Sequence, residues 1–162
     1  MPVNSAQVRV GRLLEIRAEA GYRAALDVDV LFEVIVRETA VLAPGTRHVT
    51  IVDWRNCPIM SPEAAERMGF HLRGRNTHTE RSAALARADA PLQVLQFLRV
   101  IRDAGLPDRK LFFSENEAAD WLSEVLTPAE SRQLRQFLSE ASPTPPTWSV
   151  EPGSSATRKP RP

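Results

Sequence analysis

A single cysteine, Cys57, occurs in 162 residues, which excludes an internal disulfide framework and a zinc site built on clustered cysteines. No apolar run approaches the roughly 20 residues needed to cross a bilayer. Met1-Pro2-Val3-Asn4-Ser5 has neither the basic nor the apolar stretch of a secretory leader, so a soluble cytoplasmic protein with no transmembrane segment is expected. An excess of charge of one sign is missing too. The 21 Lys and Arg nearly balance 20 Asp and Glu, and once Arg158, Lys159, Arg161 and Glu151 are set aside the remainder holds 18 against 19. A whole-domain field that would gather nucleic acid is absent, so no nucleic-acid partner is expected. Neither a P-loop nor a dinucleotide glycine fingerprint occurs, and no repeat at solenoid periods is found; no cofactor is expected.

What is present is alternation of strand and helix patterns. Val8, Val10, Leu14 and Ile16 recur with period two, interrupted at Gly11-Arg12 by a bend, a bulge or a hairpin turn. Gly21 breaks the chain. Leu31, Val34, Ile35 and Leu42 then follow helical spacing, with Asp27 or Asp29 as N-cap and Pro44-Gly45 as stop. Val49, Ile51 and Val52 form a nearly continuous apolar strand, suited to a central position covered by helices, and it ends in Asp53. Ser61-Pro62-Glu63 opens the next helix: a preferred N-cap, a proline where the missing N–H costs nothing, and an acid at the positive end of the macrodipole. Gly74 ends it.

Ser82-Ala83-Ala84-Leu85-Ala86 is helical by propensity as much as extended, and its place between two helices argues for strand. Asp89-Ala90-Pro91 opens a helix with Leu92, Leu95, Leu98 and Ile101 in register, closed by Gly105 and Pro107, and Lys110–Phe113 is a short strand. Ser114-Glu115-Asn116-Glu117 and Thr127-Pro128-Ala129-Glu130 are two capping boxes, predicting a bend near Thr127 and a separate helix over 128–140. From Ser142 onward six of 21 residues are proline, and a segment this poor in apolar side chains is expected to be disordered. The prediction is one α/β domain over 1–141, with a four- to five-stranded mostly parallel sheet, packed helices and a C-terminal helix, followed by a tail over 142–162.

Gly21 after the first strand, the Val49–Asp53 strand, the Arg81–Ala86 segment, and Phe113 followed by Glu117-Ala118 and Trp121-Leu122 resemble the STAS and SpoIIAA-like group, which includes anti-sigma-factor antagonists and STAS/SEC14 proteins. The resemblance covers roughly Val8 to Leu126. It implies a SpoIIAA-like fold and a regulatory, non-enzymatic role. In antagonist members a serine at the start of the helix after the second core strand is phosphorylated, usually in an Asp-Ser-Ser-Gly setting. Here Ile59-Met60-Ser61-Pro62 stands at that place, without the preceding Asp or following Gly.

The candidate sites follow. Asp53, Ser61 and Glu63 form a partner-binding or phospho-switch candidate, each with an ordinary structural role beside it: loop hydrogen bonding for Asp53, capping for Ser61. Arg67, Arg73, Arg75 and His78 lie in a segment whose only acid up to Arg81 is Glu80, and suit an anion or lipid head group as well as a solvated helix end. A receiver-type phosphoacceptor at Asp53 lacks the acidic pair such sites need, since Glu19 stands alone. His48, His71 and His78 share no ligand spacing, and Cys57 has Arg55 nearby but no histidine beside it in sequence. Trp121 reads as core. Trp148, beyond Pro143-Thr144-Pro145-Pro146, reads as a linker residue or a short docking peptide. The expected function is a regulatory protein–protein interaction module, with small-ligand or lipid binding as the alternative. A second copy of the chain is a further candidate partner if the first helix is only partly covered.

Overall fold

The computed structural model describes residues 2–141; the readings of residues 142–162 as a disordered tail and of Trp148 as a docking residue lie outside them. Asn4–Val8 (β1) and Leu13–Ala18 (β2) pair antiparallel, from Asn4 opposite Ala18 to Val8 opposite Leu14. The interruption at Gly11-Arg12 is therefore a hairpin turn. Gly11 has φ 55°, and a Cβ there would collide with the Glu130 carboxylate. The chain then alternates Ala25–Thr39 (α1), His48–Asp53 (β3), Pro62–Gly74 (α2), Thr79–Leu85 (β4), Pro91–Ala104 (α3) and Arg109–Phe112 (β5). A 3-10 turn over Asn76–His78 leads into β4. Glu115–Ser123 (α4) and Pro128–Ala141 (α5) complete the described chain.

The five strands lie in sequential order, with β2 to β5 parallel. Alternate side chains of each strand face opposite layers. Leu14, Ile16, Val52 and Ala84 pack beneath α1, α2 and α3 with Phe32, Met68 and Phe97. Leu13, Val49, Ile51, Ala83 and Leu85 pack beneath α4 and α5 with Leu122, Leu134 and Phe137. Helices thus cover both faces, and β3 is buried along its whole length, as its apolar run requires. Ser82–Leu85 is strand despite its alanines, because pairing on both sides outweighs propensity, and Ala86 follows just past its end.

Three local expectations change. The first concerns α1, whose N-cap is Ala24; Asp27 instead sits at the third helical position, and its carboxylate accepts the Arg23 and Ala24 N–H groups. The second concerns Glu117, which donates its backbone N–H to the Ser114 hydroxyl but stays exposed, so among the described residues only half of that box forms. The box at Thr127 is complete, with the Thr127 N–H on Glu130 Oε1 at 2.9 Å and the Glu130 N–H on the Thr127 hydroxyl. The third concerns α3, where Leu92, Leu95 and Leu98 face solvent while Phe97, Val100 and Ala104 are buried. Both stripes obey helical spacing; the core takes the one in which Phe97 meets the Trp54 ring, 4.6 Å between centroids. α1 leaves Leu26, Val30 and Val36 exposed, which is the partial cover a dimer would need.

Candidate functional site

β3 ends at Asp53, and the chain turns through Trp54–Ser61 across the carboxyl end of the sheet. This loop is anchored along its length. The Trp54 N–H donates to the Leu85 carbonyl at 2.9 Å and the Cys57 N–H to the Trp54 carbonyl at 3.0 Å. Pro58 lies against Gly21, where a Cβ would come within 2.8 Å of the proline ring; that closeness and a φ of 75° both call for glycine. Gln96 of α3 holds Met60 by two bonds of 2.8 Å, and the Ser61 hydroxyl accepts the Ala64 N–H at 3.1 Å as N-cap of α2.

Asp53 is buried and grasped by Arg55: Nε to Oδ1 at 2.9 Å, Nη2 to Oδ2 at 3.0 Å, and the Arg55 backbone N–H to Oδ1 at 3.1 Å. Arg55 also reaches Glu115 of α4. The carboxylate is thereby engaged in closing the loop, and among the described residues no group of acids, histidines and cysteine is arranged to hold a metal ion. Cys57 is buried, and desolvation pushes its thiol up to about 12, which leaves it protonated and unreactive. The side chains offered outward from this end are Asn56, Pro58, Ile59, Pro62 and Glu63, and Leu92 and Leu95 are exposed on α3, the helix bonded to the loop through Gln96.

The basic segment divides among several tasks. Arg67 and His71 both bind Asp29 of α1 at 2.6 Å, tying α2 to α1, and Arg67 above all holds the Asp29 carboxyl below its usual range. Arg73 donates to the Asp103 carbonyl at 3.0 Å. Arg67, Arg73 and Arg75 line one surface groove between α1 and α2, together with the acids Asp29 and Glu33 and the half-exposed Phe70. His78 is exposed in the 3-10 turn and stands apart from that groove.

Arg75 turns inward as well. It shares an internal cavity of about 40 Å3 with His48, Thr50, Thr79, Ser82 and Arg109 along one wall, and Tyr22 and Trp54 at the other end. Sequence reading passed over this cluster, because its members come from separate strands and helices. One signal was available: His48 and Thr50 are polar residues two apart on the otherwise apolar central strand, in register with Ser82 on β4 and Arg109 on the edge strand β5.

No protein-family model matches the chain, and neither does any curated protein. Among solved structures, a crystal structure of an uncharacterized protein from the DUF3478 family with a SpoIIAA-like fold, from Shewanella loihica PV-4, superposes with a TM-score of 0.57. The match has 15% sequence identity and covers 75% of this chain and 95% of that one. The likeness is one of fold, and it agrees with the SpoIIAA-like architecture implied by the sequence.

Proposed function

We propose that the protein is a non-enzymatic regulatory module that recognises a partner protein through the Trp54–Ser61 loop, the start of α2 and the exposed leucines of α3. The observation that carries this reading is the exposure of Leu92 and Leu95, each 65%, on the helix that Gln96 ties to the loop bearing Ile59, itself 51% exposed. Isolated surface leucines are ordinary. These stand next to a loop whose backbone is already fixed by Gln96, Gly21 and the Ser61 cap, so little ordering remains to oppose binding. The SpoIIAA-like fold agrees with such a role without specifying it.

Ser61 is the regulatory position within this surface. A phosphate on its hydroxyl would sit at the N-terminus of α2, where helix dipole and free N–H groups tolerate a dianion, while charging the ground beside Ile59. The test is affinity capture from cells of the source organism with wild-type and Ser61→Asp proteins. Loss of a captured protein at unchanged melting temperature supports the reading; parallel loss of capture and stability reduces Ser61 to a cap.

A second reading, an anionic lipid head group in the α1–α2 groove, is favoured by Phe70 standing exposed over Arg67, 5.0 Å from its guanidinium. Vesicles of phosphatidylglycerol against phosphatidylcholine, with Arg67→Gln and Arg73→Gln proteins, test it. A second copy of the chain on Leu26, Val30 and Val36 is tested by sedimentation across a concentration series.

A further inference from the structure

The cavity under α1 and α2 holds a set of unsatisfied groups. Tyr22 Oη, Trp54 Nε1, His48 Nε2, Arg75 Nε and Arg109 Nε are all buried without a hydrogen-bond partner, and all five residues line it. The Trp54 N–H lies near the Tyr22 hydroxyl, yet neither completes a bond. Buried polar atoms ordinarily find partners. Tyr22 and Trp54 face each other at one end; the three orphans of the charged wall, on His48, Arg75 and Arg109, indicate an occupant there.

The charge of the cavity indicates its kind. Arg109 is 8% exposed, and its guanidinium meets only neutral oxygens: Asn76 Oδ1 at 3.2 Å and the Leu72 carbonyl at 3.5 Å. Arg75 donates to the Thr39 hydroxyl at 3.1 Å. Neither forms an ion pair with an acid among the described residues. His48, whose Nδ1 meets the Thr50 hydroxyl at 2.9 Å, feels both arginines, and burial together with their charge lowers it to about 3. Water would satisfy donors here, but it would leave the buried Arg109 cation unneutralised beside the half-buried Arg75.

The remaining wall is apolar, formed by Leu31, Phe32, Ile35 and Met68. A volume of about 40 Å3 admits the equivalent of roughly three waters, so a nucleotide or lipid does not fit. His48 and Arg75 also line a surface pocket beside the Pro44-Gly45 turn, so the charged wall is the part of the cavity that adjoins the surface there.

We propose that this cavity binds a short-chain carboxylate, its carboxylate taken by Arg109 and Arg75 and its alkyl end lying against Leu31, Phe32, Ile35 and Met68. The site stands independently of the partner surface, because its charged wall lies at the opposite ends of the strands.

The test uses the full chain with 15N-labelled arginine. Sodium propionate is titrated at constant ionic strength, balanced with sodium gluconate, whose anion is too large to enter. The expected result is a saturable shift of the Arg109 Nε–H resonance and a rise in Tm of about 5 °C at roughly hundredfold excess over Kd. Both responses vanish in Arg109→Gln. If that variant does not fold, the wild-type titration alone decides. An Arg109 resonance that does not move with propionate, or that moves equally when sodium chloride is titrated in place of propionate, overturns the proposal.

Discussion

Gln96 satisfies both backbone polar groups of Met60: its Oε1 accepts the Met60 N–H at 2.8 Å, and its Nε2 donates to the Met60 carbonyl at 2.8 Å. One side chain of α3 therefore sets the conformation of the loop that presents Ile59. Gln96→Ala should cost about 1–3 kcal/mol, the range for leaving partly buried groups unpaired. It should also raise hydrogen exchange at Met60 well above that at Val52 on the adjoining strand. Uniform acceleration at both positions would mean that Gln96 supports the fold as a whole rather than the loop.

Ser61 separates capping from regulation by its two natural substitutions. Ser61→Ala removes the acceptor for the Ala64 N–H and should cost about 1 kcal/mol. Ser61→Asp keeps an acceptor and a favourable charge at the helix start, and should stay within about 0.5 kcal/mol of wild type. Urea unfolding of the two variants checks the order.

The attachment of α5 depends on two buried acids. Glu130 accepts the Thr127 N–H and, at 2.7 Å, the Arg12 N–H, so one carboxylate caps α5 and closes the β1–β2 turn. Glu15 on β2 is buried between Arg9, at 2.6 Å, and Gln133 of α5. Glu15→Ala leaves the Gln133 amide without its acceptor and Arg9 with Glu140 alone among the described residues, and should cost about 1–3 kcal/mol. Gly11→Ala should be destabilising as well, because it needs a left-handed φ and displaces Glu130. A Glu15→Ala protein as stable as wild type would show that the Glu15 contacts contribute nothing to holding α5.

Burial holds His48 neutral, with Arg75, Arg109 and His78 opposing its protonation from the turn after α2, from β5 and from the 3-10 turn. Its ordinary value of 6.5 falls to about 3 in the fold. Above 6.5 this group costs the fold nothing. Between those values the unfolded chain binds a proton that the folded chain refuses, so stability falls as pH drops, by about 1.4 kcal/mol per pH unit. Unfolding at pH 7 and pH 5 should therefore differ by about 2 kcal/mol more in wild type than in His48→Gln. Equal differences would contradict a buried neutral imidazole.

Much of this architecture is legible in the sequence because it is local. Ser61-Pro62-Glu63 and Thr127–Glu130 announce their helix starts through bonds spanning three residues, and the apolar run from Val49 marks the central strand. The face that α3 turns inward was not legible. Leu92-Leu95-Leu98 and Phe97-Val100-Ala104 are equally good stripes on one helix, and only Trp54, 43 positions before Phe97, decides between them. The cavity is still less local, since Arg109, Ser82 and Thr50 become neighbours only through the parallel register of three strands. Arg75 reads as one of several basic residues in sequence, and only its inward turn separates it from Arg73.

The central claim is that a partner protein docks on the loop and the exposed leucines of α3. Photo-crosslinking tests it most directly, with p-benzoylphenylalanine in place of Leu92 in one protein and of Phe70 in another, each expressed in cells of the source organism. The account expects a discrete protein adduct at position 92 that disappears when Ser61→Asp is added, and no such adduct at position 70. No adduct at position 92, or the same adduct at both positions, would contradict it.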